Sequence, residues 1–249
     1  MNNERFYRSW HSGRFQSFIV GYKETDLWIG VDKYYPEMPE ATLNLIKKVR
    51  KQLDDYIDAN PDFLLSFEPI TDENATSVAK KMIRASKMAD VGPMAAVAGA
   101  VADEIGAFLS YEFGCKELIV ENGGDISVKV QEPITISVYA GDSPLSGRIG
   151  LSIPQGVCGV CTSSATVGPS ISFGKADAVT VISKTAAVAD AFATFYGNRV
   201  KQEEDMEKVL GETLPPQVDT LLIVMKDMMG IVGKHKLQIV ESGDCHESC

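Results

Sequence analysis

Two short acidic motifs hold the residues best suited to chemistry. The first, Glu121-Asn-Gly-Gly-Asp125, lies between two apolar, strand-like runs. Its paired glycines permit positive φ and leave backbone N–H groups exposed for a ligand. Its two carboxylates repel each other unless a partner group binds them. Because Asn-Gly is the commonest two-residue turn signal, the motif is equally typical of an ordinary hairpin turn. A binding turn and a structural turn are both compatible with these residues.

The second motif is the helical stretch Ala189-Asp-Ala-Phe-Ala-Thr194. Asp190 and Thr194 are four residues apart, so their side chains lie on one face of a helix, among alanines. An unpaired carboxylate on an apolar face is unfavourable, and coordination of a hard cation such as Mg²⁺ would offset that cost. The alternatives are a carboxylate bonded to backbone N–H groups at a helix N-terminus, or one paired with a distant lysine.

Two cysteine pairs are further candidates for metal or redox chemistry. Cys158-Gly-Val-Cys161 lacks the second Cys-x-x-Cys of a four-thiolate zinc site and the strand-to-helix context of a thioredoxin motif. We interpret it as a pair of structural thiols, and the tail Cys245-His246-Glu-Ser-Cys249 as at most an adventitious metal binder. The total of five cysteines, an odd number, is not typical of a secreted disulfide framework.

Several common catalytic motifs are absent from the sequence. It contains no P-loop, no Gly-x-Gly-x-x-Gly, no Gly-x-Ser-x-Gly and no His-Glu-x-x-His. The three histidines, His11, His235 and His246, lie outside both acidic motifs, so histidine-dependent catalysis is not expected. Any chemistry should therefore depend on oxygen ligands and a bound cofactor.

Composition argues against two classes of partner. The 249 residues include 24 Lys and Arg against 34 Asp and Glu, a net charge of −10, with no long basic patch to neutralise nucleic-acid phosphates. The segment from Met1 to Trp10 carries charged and aromatic residues, and no apolar stretch approaches the roughly 20 residues of a membrane span. We therefore expect a cytoplasmic protein without a nucleic-acid or membrane partner.

Apolar periodicity predicts helices and strands that gather in clusters. Helices are predicted over 39–59, 74–87, 94–109, 185–199 and 203–210, with Asn74 as a cap and Pro93 in a first turn. Strands are predicted over 15–22, 27–31, 118–120, 126–130, 134–139, 149–153 and 178–182, with 221–225 and 237–240 as a closing hairpin. The stretch 156–174, rich in Gly, Ser, Thr and Cys, is predicted as a binding loop. This clustering favours an α+β fold with antiparallel sheets packed against helices.

The domain organisation is expected to be simple. The sequence shows no tandem repeat, low-complexity tract or obvious linker. We expect one domain over residues 1–249, built as two closely joined halves, 1–115 and 116–240, with a loose C-terminal tail at 241–249.

Five segments together resemble one protein family. In chain order they are Asp90-Val-Gly-Pro-Met-Ala-Ala-Val-Ala-Gly-Ala-Val-Ala-Asp103, Glu121-Asn-Gly-Gly-Asp125, Cys161-Thr-Ser-Ser164, Lys175-Ala-Asp-Ala-Val-Thr-Val181 and Ala189-Asp-Ala-Phe-Ala-Thr194. Each is weakly diagnostic alone, but their order resembles that of the ApbE superfamily, the FAD:protein FMN transferases, and more closely its cytoplasmic branch. The resemblance covers most of the chain, from Phe6 to Val240, and implies an ApbE-like, T-fold-related architecture.

The resemblance implies a site for a flavin nucleotide, FAD or FMN, and for Mg²⁺. From the matching family motifs, the metal ligands would be the side chains of Asp190 and Thr194 and the backbone carbonyl of Ala95. The residues expected to face the flavin nucleotide are Asn122, Gly123, Gly124, Asp125, Thr162, Ser163 and Ser164. The family reaction is attack by a threonine hydroxyl of an acceptor protein on the FAD pyrophosphate, whose developing charge the metal neutralises.

One position departs from the family pattern. The transferases place a lysine before the glycine of their Asp-x-Gly-x-x-x-Lys-Gly stretch, whereas the matching pair here is Ala98-Gly99. Loss of an ammonium near the pyrophosphate removes phosphate neutralisation. Three functions therefore stay open: FMN transfer, non-catalytic binding of a flavin or other nucleotide-like cofactor, and an assembly role that keeps only the fold.

Overall fold

The computed structural model describes residues 13–166 and 173–240, and these form helices and antiparallel strands, as predicted for the α+β class. The helices are α1 (Met38–Ala59), α2 (Asp62–Leu65), α3 (Ser77–Ala89), a 3-10 helix (Pro93–Ala96), α4 (Val97–Glu112), α5 (Ala186–Arg199) and α6 (Glu203–Leu210). The strands are β1 (Gln16–Tyr22), β2 (Thr25–Val31), β3 (Leu118–Asn122), β4 (Asp125–Val130), β5 (Ile134–Ser137), β6 (Ile149–Ile153), β7 (Gly156–Ser163), β8 (Ala178–Ser183), β9 (Val218–Met225), β10 (Met228–Gly233) and β11 (Lys236–Ile239).

The strands form two antiparallel sheets. The larger has eight strands in the order β1-β2-β3-β4-β7-β8-β9-β10, and the smaller has three in the order β11-β6-β5. One face of the large sheet packs against the helices, around Ile29, Ile105 and Val181, and the other packs against the small sheet, around Leu151 and Ile182. The fold therefore has three layers, with the large sheet in the middle and a hydrophobic core on each side.

The predicted loop at 156–174 is wrong over its first half. Gly156–Ser163 form β7, between β4 and β8 in the large sheet. The strand is rich in small residues because α5 lies directly on it: a Cβ at Gly159 would come within 2.2 Å of the Ala186 nitrogen. The composition that suggested a loop therefore reflects close packing of a helix on a strand. Residues 167–172 of the predicted loop lie outside the described residues.

We expect Gly159→Ala to destabilise the protein by about 3 kcal/mol, because the new methyl group would collide with the backbone of α5, which cannot rotate away. Urea unfolding followed by circular dichroism measures the loss. Gly21→Ala on β1 is the matched control, since its Cβ would come no closer than 3.6 Å to the Thr25 carbonyl oxygen. Equal stability of the two variants would contradict the packing of α5 on β7.

The predicted closing hairpin pairs the wrong strands. β9 pairs with β10 across a two-residue turn in which Lys226 has a φ of 56°. β11 leaves the large sheet and pairs with β6. The strand β10 contains Gly230 and Gly233, which weaken its strand pattern. A Cβ at Gly230 would lie 2.2 Å from Leu210 Cδ1 at the end of α6, so a larger residue here would require the Leu210 side chain to move.

The two predicted helix starts have different outcomes. α3 begins at Ser77, after Thr76, so Asn74 is not its cap. The Asn74 N–H instead donates to Asp72 Oδ1 at 2.8 Å within a turn. Pro93 occupies the first turn of the 3-10 helix that leads directly into α4, as predicted.

Pro93–Glu112 is the most apolar helical segment. Its 20 residues contain a window of mean hydropathy 1.2, long and apolar enough for a membrane span, so the expectation that no stretch approaches that length is wrong. The segment packs against α5, β3 and β4, and it includes the charged residues Asp103 and Glu104. These contacts are those of a core helix in a globular fold.

Candidate functional site

The helices α4 and α5 approach each other closely at Gly99. A Cβ at this position would come within 2.3 Å of the Ala186 carbonyl oxygen, so no side chain fits. The alanines and glycines of both helices permit this approach. It brings the first turn of α4 beside Asp190 of α5.

Each of these helices supplies a carboxylate to the N-terminus of the other. Asp190 of α5 accepts a hydrogen bond from the Gly99 N–H, in the first turn of α4, at 2.9 Å. Asp103 of α4 accepts bonds from the N–H groups of Ala186 and Ala187, in the first turn of α5, at 3.0 Å each. First-turn N–H groups lack a partner within their own helix and attract negative charge. The helices are therefore antiparallel and joined by two reciprocal caps.

Asp103 was not among the predicted site residues. Its Oδ1 also accepts a hydrogen bond from Ser127 Oγ at 3.0 Å. Burial raises the pKa of this carboxyl, and the bonds from Ala187, Ala186 and Ser127 oppose that shift. The sequence signal was an acid within an apolar helix, but its partners on α5 lie more than 80 residues away.

Asp190 is half-buried and lies at the centre of the candidate site. Burial raises its pKa to about 7; the backbone N–H groups of Gly99 and Ala98 oppose the shift, and the Asp103 carboxylate adds to it. Near neutral pH the side chain is therefore divided between its neutral and ionised forms, and a bound cation would favour the ionised form. Its partners are backbone N–H groups, as in one of the alternatives, but they belong to α4, and Asp190 itself lies beyond the N-terminal turn of its own helix.

The predicted turn forms at the tip of the β3–β4 hairpin. Gly123 and Gly124 have φ values of 71° and 103°, in the left-handed region that favours glycine. Glu121 Oε1 accepts a hydrogen bond from the Gly124 N–H at 2.8 Å. One of the N–H groups expected to face a ligand is therefore bonded within the turn, while Gly123 is exposed.

Asn122 joins this turn to the start of α4. Its Nδ2 donates to the Ala98 carbonyl oxygen at 3.0 Å. The next residue, Gly99, is the one that donates to Asp190. The two acidic motifs of the sequence therefore meet at the same two residues of α4, as a shared site requires.

Asp125 is a buried acid beside this junction. It pairs with Cys161 across β4 and β7, and its side chain lies on the helix face of the large sheet. Its Oδ1 is buried and has no hydrogen-bond partner among the residues that the structure describes. Burial raises its pKa well above the usual range, and the neighbouring Asp190 adds to the shift. An orphaned carboxylate oxygen beside a second acid is a suitable place for a cation or a ligand hydroxyl.

Thr162, at the end of β7, points away from this cluster. Its Oγ1 lies 2.8 Å from Thr180 Oγ1, on the face of the large sheet that packs against the small sheet. Its backbone N–H, in contrast, bonds the Asp125 carboxylate. The structure therefore brings the Thr162 backbone, but not its side chain, to the candidate site.

The two serines after Thr162 also differ in position. Ser163 lies on the helix face, where a Cβ at Gly197 of α5 would come within 3.2 Å of its Oγ. Ser164 is half-buried, and its Oγ accepts a hydrogen bond from the Thr166 N–H at 3.1 Å. Ser163 thus shares the face of Asp125, while Ser164 lies in the irregular segment that follows β7.

The three predicted metal ligands lie on adjacent elements. Thr194 is half-buried one turn after Asp190, and Ala95 is half-buried in the 3-10 helix, which packs against α5. Across 13–166 and 173–240, no group of three or more His, Cys, Asp or Glu side chains could hold a metal. A metal here would therefore use one carboxylate, one hydroxyl and one carbonyl, a sparse oxygen set that leaves positions for phosphate and water, as Mg²⁺ prefers.

Cys158 and Cys161 do not form a joint site. They are three residues apart on β7 and so lie on opposite faces, Cys158 toward the small sheet and Cys161 toward the helices. The buried Cys161 Sγ donates to the Ala186 carbonyl oxygen at 3.2 Å, and burial raises its pKa. The candidate ligands at 245–249 lie outside the described residues.

We expect the metal-free protein to lose stability as pH rises from about 4 to about 7. The folded protein holds a proton on Asp190 up to about pH 7, whereas an ordinary carboxyl releases it near 3.8, so unfolding releases a proton in this window. Asp190→Asn removes this titration and should flatten the dependence, whereas Asp58→Asn, at an exposed position of α1, should not. Urea unfolding at about pH 5 and about pH 7.5 measures how much the free energy of unfolding changes between the two pH values. An equal change in both variants would contradict the prediction.

Comparison with solved structures identifies the fold. The flavin transferase ApbE from Vibrio cholerae matches with a TM-score of 0.56 at 14% sequence identity, over 88% of this chain and 96% of that chain. The ApbE protein from Thermotoga maritima matches with a TM-score of 0.54 at 18% identity, over 87% and 96%. These matches define an ApbE-like fold.

The sequence comparisons agree with the fold. The family model described as "AbpE bacteria" matches residues 8–232. The chain is 39% identical over 224 residues to the UPF0280 protein MJ1526 of Methanocaldococcus jannaschii, which covers 85% of this chain and 88% of that protein. It is 44% identical over 180 residues to a UPF0280 protein of Methanosphaerula palustris, over 72% and 71%. The chain therefore belongs to the ApbE-like superfamily, within the family that this model describes, which confirms the resemblance.

Proposed function

We propose that this protein binds FAD together with Mg²⁺ at the junction of α4, α5 and the β3–β4 turn. The observation that carries the proposal is the meeting of both acidic motifs at Ala98 and Gly99, beside the orphaned oxygen of Asp125. Solved proteins of this fold are flavin transferases by name, which supports a flavin nucleotide as the ligand.

The residues present fit a magnesium ion. The side chains of Asp190 and Thr194 and the carbonyl of Ala95 would hold it, and when bound it would neutralise charge on the pyrophosphate. Asp190 suits this role because burial leaves its carboxylate in need of a positive partner at neutral pH. The Asn122 bond to Ala98 holds the turn against α4, so both would stay in register when a ligand binds.

The nucleotide would lie against the glycine turn and the end of β7. Gly123 leaves its backbone exposed, and Asp125 offers an oxygen that has no hydrogen-bond partner within 13–166 and 173–240. Ser163 and Ser164 would contribute hydroxyl groups, and Thr162 would contribute through its backbone. FMN would use the same contacts as the FMN half of FAD.

The activity that the family suggests is transfer of FMN from FAD to a threonine hydroxyl of an acceptor protein. Ala98, where the transferases carry a lysine, favours a second candidate, a non-catalytic binder of FAD or a related nucleotide. Both candidates share the same site, so they differ only in whether the pyrophosphate is cleaved.

One experiment tests both candidate functions. The purified protein is incubated with FAD, with and without Mg²⁺, and bound flavin and released AMP are measured by chromatography, with a threonine-containing peptide as acceptor. Mg²⁺-dependent binding with AMP release supports transfer, and binding without AMP supports the non-catalytic candidate. Absence of binding, together with no thermal stabilisation by FAD, FMN or Mg²⁺, would contradict the proposal and favour an assembly protein.

We also propose a cytoplasmic location without nucleic-acid or membrane partners. The net charge of −10 supports the absence of nucleic-acid binding. The resemblance to the cytoplasmic branch supports the location.

A further inference from the structure

A cleft with a volume of about 580 Å³ lies at the N-terminal end of α5. Its walls come from α3, α4, β4 and the start of α5, with Leu118 of β3 and Val157 of β7. Asp103 forms part of its wall, but none of the residues proposed to bind FAD or Mg²⁺ lines it. This volume falls within the range of pockets that hold small organic ligands.

The rim of the cleft is basic. Lys81 and Arg84 of α3, Lys129 of β4 and Lys184, just before α5, all line it. Lys81 is paired with Glu104. Over 13–166 and 173–240, the other three basic side chains form no ion pair. The four basic side chains outnumber the two acids Asp103 and Glu104 at this cleft, so in a chain with a net charge of −10 they create a local field that attracts anions.

Neighbouring polar groups leave this positive charge largely intact. The Lys129 ammonium donates to Ser110 Oγ at 3.2 Å and to the Cys115 carbonyl oxygen at 2.8 Å, both neutral groups. Arg84 and Lys184 are exposed. The acid in the wall, Asp103, already accepts three hydrogen bonds, two from α5 and one from β4.

The cleft also has an apolar side. Met88 and Val157 line it and are large apolar side chains that are 49% and 66% exposed. Ala107 and Val188 extend this surface between α4 and α5. An inorganic ion would leave these groups in water, whereas a ligand with a ring or hydrocarbon chain would cover them.

We propose that this cleft binds a small organic anion, whose carboxylate, sulfonate or phosphate group lies between Arg84 and Lys184 and whose apolar body covers Met88 and Val157. Arg84 of α3 and Lys184, just before α5, both line the cleft and are exposed, so both are available to an anionic group. This site is separate from the proposed flavin site and does not depend on it.

The test uses 8-anilinonaphthalene-1-sulfonate, an aromatic sulfonate, without FAD or Mg²⁺. We expect saturable binding at one site by fluorescence, weakened by added salt. The double variant Arg84→Glu with Lys184→Glu should weaken binding by about tenfold or more. The matched control, Lys48→Glu with Lys87→Glu, makes the same change in net charge at exposed positions outside the cleft and should stay within about twofold of the original protein.

A second variant and a second probe separate the cleft from non-specific adsorption. Ala107→Trp fills the cleft without changing charge and should abolish binding, with folding checked by circular dichroism. The uncharged N-phenyl-1-naphthylamine should bind more weakly than the sulfonate. Equal sulfonate binding by the original protein, the double variant and Ala107→Trp, or equal weakening in the control, would overturn the proposal.

Discussion

Asp190→Asn should weaken Mg²⁺-dependent FAD binding by about 100-fold, since it removes the one anionic side chain of the proposed metal site. The substitution keeps an oxygen that can accept the Gly99 N–H, so the cap on α4 is retained. The loss should therefore fall on the metal and not on the fold. Titration of FAD fluorescence at fixed Mg²⁺ concentrations measures it.

Two further variants serve as comparisons for the Asp190→Asn variant. Thr194→Val removes a neutral ligand of similar shape and should cost about tenfold. Asp58→Asn, on the exposed face of α1, makes the same chemical change away from the site and should bind like the original protein. Full Mg²⁺-dependent binding by the Asp190→Asn variant would show that the metal site lies elsewhere.

A large loss of stability is also expected at Asp103. Asp103→Ala leaves the N–H groups of Ala186 and Ala187 and the Ser127 hydroxyl without their acceptor, and should lower the free energy of unfolding by about 3 kcal/mol. The adjacent Glu104→Ala is the control, because it removes only a partly exposed ion pair with Lys81, worth about 1 kcal/mol or less. Urea unfolding compares them, and equal effects would contradict the role of Asp103 as a cap.

The elements predicted correctly from the sequence are those stabilised by their own pattern. α1 has a regular apolar period, the first hairpin has two apolar runs on either side of a polar turn, and α5 is rich in alanine, the strongest helix former, so a local rule identifies each of them. Gly123 and Gly124 also form the turn that their residue types predict. Such features need no knowledge of distant residues.

The elements that were missed depend on distant partners. Gly159 lies in a central strand where the backbone of α5 packs directly on it. Gly230 lies in β10, where the Leu210 side chain packs against it. Both glycines look like loop residues until the neighbouring helix is known. A strand whose small residues serve tertiary packing therefore loses the pattern by which strands are predicted.

The candidate site was predicted in outline but not in its connections. The order of the motifs placed Asp190 and the 121–125 turn together, and the structure shows them meeting at Ala98 and Gly99. The side chain of Thr162 lies on the other face of the sheet because residues alternate along β7. No local pattern could have shown that Asp103 bonds α5, since α4 and α5 are separated in the chain by strands β3 to β8.

The reciprocal caps have a consequence for how the protein opens. If either helix frays, it withdraws the carboxylate that protects the first amides of the other helix. Opening one helix therefore exposes amides in both. The amide hydrogens of Gly99, Ala186 and Ala187 should therefore exchange with solvent at one common, slow rate. Because the two helices come from distant parts of the chain, closing this pair costs the entropy of a long loop, and we expect it to form late in folding.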